Sequence, residues 1–228
     1  MTSGKGTLGE QAYQVIRESI LFLRLEPGQM IYESELAEML DMSRTPIREA
    51  VRMLLIEELI YVLPQRGMRI ALISEKKVIE TQFVRESLEI SGLKEGIEAW
   101  DQTQASHGAL RKKVQLSLET QKNYLSHGDM EQFLRADEAF HELLMGPANN
   151  QTLVSTIWQM RGHLNRVRML SLRNLKSVDS LVQEHEEIIA ALLNGQMKDA
   201  STILTNHLRR VKQDLYTVKQ LFPTYFTN

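Results

Sequence analysis

The stretch Ser43-Arg44-Thr45-Pro46-Ile47-Arg48-Glu49-Ala50 constrains this chain most, because it reads as the start of a helix whose faces differ in chemistry. Ser43 stands where an N-cap hydroxyl can accept from a free N–H of the first turn. Pro46 falls inside that turn, where a missing N–H costs nothing. At about 100° per residue, Ile47, Val51, Leu54 and Leu55 face inward, and Arg44, Arg48 and Arg52 form an i, i+4, i+8 ladder on another face. Guanidiniums so arranged suit phosphates and guanine edges, so the spacing predicts a DNA-recognition helix.

The flanking residues supply its usual companions. Glu33 to Leu40 forms a short amphipathic helix, and Asp41-Met42 a tight turn before Ser43. Two helices joined in this way make a helix-turn-helix, with the second helix placed in the major groove. Ile60-Tyr61-Val62-Leu63 and Met68-Arg69-Ile70-Ala71-Leu72 are β-prone runs separated by Pro64-Gln65-Arg66-Gly67, which predicts a hairpin wing with a basic tip at Arg66.

Residues 33–70 resemble the winged helix-turn-helix of the GntR family of bacterial transcription regulators. The resemblance is carried by Ser-Glu-Leu-Ala at 34–37, Ser-Arg-Thr-Pro-Ile-Arg-Glu-Ala at 43–50 and Pro-Gln-Arg-Gly at 64–67. It implies that Ser43, Arg44, Thr45, Arg48 and Gly67 contact DNA.

Charge qualifies that expectation. Residues 1–74 hold eight basic side chains against ten acidic ones, so the region is not basic as a whole. Five of the eight, Arg44, Arg48, Arg52, Arg66 and Arg69, nevertheless lie on the recognition helix and wing, and a local basic patch is what phosphate binding requires. The absence of cysteine excludes disulfides and thiolate metal sites and fits a reducing cytosol. Met1 to Gly9 has no apolar signal core, and no apolar stretch approaches ~18 residues. The expectation is a cytoplasmic chain with no membrane partner.

Taken in order, Gly9 to Leu25 reads as a first helix with Ala12, Tyr13, Ile16, Ile20 and Leu23 on one side, stopped by Glu26-Pro27-Gly28. Near Ser74 the pattern changes from strand to helix period and stays helical to about Leu221. The expected fold is mainly α: a winged helix-turn-helix over 1–74, then an all-helical antiparallel bundle over 75–228. Its helices are expected at 75–99, 107–126, 129–145, 150–173, 178–194 and 197–220, broken at Gly, Pro, Asn and Asp positions.

The bundle carries ionisable residues on apolar faces. Helix 129–145 turns Met130, Phe133, Leu134, Asp137, Phe140, His141 and Leu144 to one side. His185 shares a face with Leu181, Ile188 and Leu192, and His207 with Leu204, Leu208 and Val211. Buried polar groups need partners. One carboxylate and three imidazoles make a nitrogen/oxygen donor set suited to Zn, Ni, Mn or Fe with positions left open. Periodicity does not show that the four converge, and each histidine alone is as simply a satisfied core residue. His163 sits at the edge of its stripe and stays outside this set; His107 and His127 fall at helix breaks and are expected to be solvated.

This region resembles the all-helical effector domain of the FadR branch of the family, the FCD domain, through Asp137-Glu138-Ala139-Phe140-His141, Glu184-His185 and Asn206-His207-Leu208. The resemblance implies a divalent metal on Asp137, His141, His185 and His207, which helps hold a small carboxylate effector; Arg85 and Arg168 are candidates to neutralise that anion. The combined reading is a homodimeric, metabolite-responsive repressor on an inverted-repeat operator. Two alternatives stand beside it: a metalloenzyme using the Asp/His site, and a metal-free helical oligomerisation module.

Overall fold

The computed structural model describes residues 6–100, 108–175 and 178–227. Helix α1 (Leu8–Leu21) opens on a reciprocal cap: Thr7 Oγ1 accepts from the Glu10 N–H at 3.2 Å, and Glu10 Oε2 accepts from the Thr7 N–H at 2.8 Å. It ends before the expected Leu25. The N–H groups of Phe22, Leu23 and Arg24 fold back onto the carbonyls of Glu18, Ile20 and Ser19, with Leu23 in the left-handed region at φ 59°.

Strand β1 (Met30–Ile31), α2 (Glu33–Leu40), α3 (Arg44–Ile56), β2 (Ile60–Leu63) and β3 (Gly67–Ile70) complete the N-terminal unit. Asp41, at φ 50°, makes the tight turn between α2 and α3. The expected hairpin forms with Leu63 opposite Gly67 and Ile60 opposite Ile70. An unanticipated third strand joins it, since β1 pairs antiparallel with β3 to give the order β1-β3-β2. Two residues between a turn and a helix carry no readable period, so only the pairing reveals β1. Ala12, Ile16, Ile20, Leu36, Ile47, Ala50, Leu54, Ile60 and Ile70 fill the core beneath.

The bundle comprises α4 (Glu75–Glu95), α5 (Gly108–Ser126), α6 (Met130–Met145), α7 (Gln151–Met160), α8 (Gly162–Asn174), α9 (Asp179–Leu193) and α10 (Met197–Leu221). The single helix expected over 150–173 is two. It breaks at Arg161, and at Gly162 any Cβ would lie 2.9 Å from the Leu59 side chain of the winged unit, so the bare backbone permits that approach. The expected break at Ser106-His107 and the placement of His107 lie outside the described residues.

The two units meet along α8. Arg166 is fully buried, donating to the Ala71 carbonyl and at 2.8 Å to His163 Nδ1, which also accepts from the Ser74 N–H at 3.0 Å. Arg17 donates from Nε to Glu57 at 2.8 Å and from Nη2 to the Trp158 carbonyl at 2.9 Å, with its guanidinium over the Trp158 ring. Phe22 packs among Phe133, Leu134 and Met169 of the bundle. The C-terminal segment returns to the junction, where Ile73 bonds with Tyr225 and Thr227 at 2.8 and 3.0 Å.

Burial and the Arg166 charge push His163 down to about 3, against 6.5 for a free imidazole. A depressed pKa means that stability present above pH 6.5 is lost as pH falls toward 3, because the unfolded chain takes up the proton first. Between these values His163 alone contributes up to about 1.4 kcal/mol per pH unit. Chemical denaturation of the wild type and of His163→Gln at pH 7 and pH 5 is expected to show the variant losing less stability on acidification.

Candidate functional site

Three helices aim imidazoles at one point. His141 stands on α6, His185 on α9 and His207 on α10, each on its helix's buried face, and Asp137 lies one turn before His141. One donor atom from each of the four falls within 4.8 Å of all the others. His207 Nε2 lies 3.2 Å from His185 Nε2 and 3.3 Å from His141 Nε2; Asp137 lies 3.7 Å from the Nε2 atoms of both His141 and His185.

The outer nitrogens explain why these inner ones face one another. His185 Nδ1 lies 2.7 Å from Gln121 Oε1 and His207 Nδ1 2.7 Å from Glu184 Oε2. His141 Nδ1 lies 2.8 Å from Glu89 Oε2, though bent from a linear hydrogen bond. An oxygen acceptor at Nδ1 holds the ring proton there and leaves Nε2 as a bare lone pair. Three lone pairs then share one small volume. Ligands about 2.0–2.1 Å from a central ion at tetrahedral or octahedral angles lie roughly 2.9–3.4 Å apart, and the two closest Nε2 separations fall in that range. The residues present therefore fit a divalent cation.

The surrounding charges agree. Burial pushes the Asp137 carboxyl up, but the Arg168 guanidinium beside it outweighs burial and holds the group far below the usual carboxylate range. Glu89, equally buried, is held at about 2 by Arg85 and His141. Burial, with His207 adding to it, drives His185 well below 6.5, so its ring is neutral and competent as a ligand. The Phe140 ring stacks on His185 at 4.1 Å and fixes its plane.

Arg85 donates from Nε to Glu89 at 2.6 Å, and Arg168 donates to Asp137 Oδ2. Both also line a cavity of about 50 Å³ that opens beside Asp137 and His207 and continues to Ser171, Leu181, Val211 and Asp214. Sequence reasoning passed over Gln121, Glu89 as a partner of His141, and Asp214. Gln121 continues the inward stripe of Val114 and Leu118, and Glu89 follows Arg85 by one turn, so a search for polar residues on buried stripes would have found both. His163 lies at the junction with Ser74 and Arg166, away from the cluster, and His127 bonds the Asn123 carbonyl in an exposed helix end.

On the winged unit, Ser43, Arg44, Thr45, Arg48, Arg52 and Arg66 are all exposed. Arg48 pairs with Glu33 of α2 at 2.9 Å. Ser43 occupies the N-cap position with extended backbone, but its hydroxyl makes no bond to the first turn, contrary to the capping role expected of it. Gly67 has φ +89°, and a Cβ there would lie 2.7 Å from the Tyr32 ring, so glycine is required by conformation and by contact. Among the described residues no helix is long and apolar enough to cross a membrane.

A winged helix-turn-helix fused to a helical domain with a buried Asp/His cluster defines a class of DNA-binding regulators. Residues 8–70 match the gntR family of bacterial regulatory proteins, and residues 80–210 match the FCD domain. The chain belongs to the GntR family: it is a transcriptional regulator with a helix-turn-helix DNA-binding part and an FCD effector domain, not an enzyme. A regulator in an unstable DNA locus of Streptomyces ambofaciens is 33% identical over 99% of this chain and 92% of its own length. The HTH-type transcriptional repressor RspR of Escherichia coli is 24% identical over 96% of this chain and 94% of its own. Among solved structures, Escherichia coli McbR/YncC shares the fold with a TM-score of 0.80 at 20% identity, over 93% of this chain and 98% of that one.

Replacing Gly67 with alanine forces a side chain into the left-handed region against Tyr32. Gly67→Ala is expected to destabilise the chain by about 1–3 kcal/mol, read from chemical denaturation, because such strain is held only by the surrounding structure.

Proposed function

We propose that this regulator is a metabolite-responsive repressor of the FadR branch. It acts in the cytoplasm as a homodimer that reads an inverted-repeat operator through residues 1–74 and senses a metal-assisted carboxylate through residues 75–228. The observation that carries the sensing half is the convergence of three imidazole lone pairs with Asp137, each ring backed by an oxygen acceptor. Asp137, His141, His185 and His207 would hold the divalent ion, which would supply a Lewis-acidic anchor for an anion. Arg85 and Arg168 line the adjoining cavity and would neutralise the same carboxylate.

The DNA-reading half rests on exposure and charge. Arg44, Arg48 and Arg52 stand in a row on α3, with Ser43 and Thr45 at its start and Arg66 and Gly67 at the wing tip. Phosphate contacts from helix starts and arginines fix register, while base edges in the major groove give sequence.

Helix α8 joins the halves. Its Arg168 bonds the Asp137 carboxylate and lines the cavity, and within the six residues before it Gly162, His163 and Arg166 meet Leu59, Ser74 and Ala71 of the winged unit. An effector that draws Arg168 off Asp137 would shift α8 and with it the seat of the winged unit. DNA affinity then changes only as far as the effector discriminates between the two placements. Release from the operator is the expected direction.

Fluorescence anisotropy with a labelled fragment upstream of the protein's own coding region, against a scrambled control, tests the DNA half. Binding is expected to prefer the upstream fragment and to weaken steeply with salt. Arg44→Ala and Arg52→Ala are each expected to lose about tenfold in affinity, with the salt slope falling by about one wherever a phosphate contact is removed. Equal affinity of wild type and both variants would overturn the assignment.

The metal half is tested by elemental analysis and thermal melting. One equivalent of metal per chain is expected, and Zn²⁺ at 100 times its Kd should raise the Tm of the chelated protein by about 5–10 °C. His185→Ala should abolish that rise. A purified chain that takes up no stoichiometric metal would overturn this half.

A further inference from the structure

The Asp137 carboxylate stands between two claims on its charge. Its Oδ1 lies 3.7 Å from His185 Nε2 and its Oδ2 3.7 Å from His141 Nε2, so it faces the point on which the imidazole nitrogens converge. The same Oδ2 accepts from the Arg168 guanidinium, which lines the neighbouring cavity. Arg168 Nη1 stays 3.9 Å from Glu138 Oε1, beyond hydrogen-bond reach, which leaves Asp137 as the close partner.

The other carboxylates around the cluster differ from it. Glu89 and Glu184 also hold arginines of that cavity, Arg85 and Arg210, but they meet the imidazoles only at the outer nitrogens. Of the three arginines, Arg168 is the one bonded to a residue that offers its own oxygen to the centre. An oxygen that accepts from a guanidinium gives less of its charge to a metal, and a fixed positive charge beside a dication repels it. Asp137 is 1% exposed and the Arg168 side chain 14%, so solvent screens both effects little. A charge-assisted bond of this kind is among the stronger ones, and an ion drawing on Asp137 has to weaken it.

We propose that Arg168 is a built-in competitor for the metal: it neutralises Asp137 as a resident counter-cation and holds the affinity of the Asp/His cluster below what its four ligands would otherwise give. The inference rests on the metal reading above and deepens it. Arg168 is in these terms a positioning residue that acts on the ion through Asp137. The opposite role for the same contact would be support, with Arg168 orienting Asp137 for the ion as outer partners of metal ligands commonly do. Competition and support predict changes of opposite sign when the charge is removed.

The test is the Zn²⁺ affinity of the full chain, measured by competition with a chromophoric chelator for the wild type and for Arg168→Met, Arg168→Gln and Arg168→Lys. The two neutral variants are expected to bind Zn²⁺ about tenfold or more tightly than the wild type, the worth of one hydrogen bond between charged groups, and to release it more slowly to excess chelator. Arg168→Lys, which keeps the charge, should stay within about threefold of the wild type. Should Arg168→Met fail to fold with Asp137 left unpaired, Arg168→Gln carries the comparison, since its amide remains a donor. Neutral variants that bind Zn²⁺ no more tightly than the wild type, or a lysine variant that binds as tightly as the neutral ones, would overturn the proposal and leave the metal reading intact. A wild type that takes up no Zn²⁺ would overturn both.

Discussion

A carboxylate and three imidazoles withdrawn from water need polar groups facing them, and the bundle is arranged to supply those. Gln121 from α5, Glu89 from α4 and Glu184 from α9 each occupy the outer nitrogen of one ring. The inner nitrogens are thereby forced to present lone pairs to one another at 3.2–3.3 Å. Neutral rings in that arrangement repel unless a cation lies among them, so the packing of five helices defines a place for positive charge. Arg168, bonded to Asp137, already supplies part of it from the cavity side.

The same cluster is joined to the winged unit through one helix. The arginine bonded to Asp137 and the residues seated against the winged unit lie on the same thirteen-residue helix, α8. Its N-terminal turn abuts Leu59 through Gly162, and its next turn bears Arg166, buried against the Ala71 carbonyl and pushed by burial down to about 9. A desolvated guanidinium held by neutral acceptors is a costly contact, sensitive to small displacements of the helix that carries it.

Much of this was legible in the linear order of residues, for definite reasons. The helix-turn-helix and wing are local: the 3.6-residue stripe through Ile47, Val51 and Leu54, the turn at Asp41 and the paired strands around residues 64–67 depend on neighbours a few positions away. The inward faces of α6, α9 and α10 followed from the same periodicity, which is why Asp137, His141, His185 and His207 were identifiable as buried together with hydrophobes. What failed was non-local or finely conformational. Strand β1 exists only through pairing with β3, the helix over 150–173 breaks where Leu59 of the other unit needs Gly162 bare, and α1 stops at Leu21 because Leu23 adopts a left-handed turn. The Ser43 hydroxyl, expected to cap, makes no bond to the first turn.

The sequence by itself therefore determined the class of fold, the family, and which side chains are withheld from water, because periodicity and motif spacing are properties of neighbouring residues. Tertiary structure alone decided that residues 66 positions apart, His141 and His207, meet nitrogen to nitrogen. It also decided that Gln121 and Glu89 set which ring nitrogen points inward, and that one cavity ends in Asp214. Such distances arise from how helices cross, and crossing is fixed by the shapes of whole packed faces rather than by the spacing along any one of them.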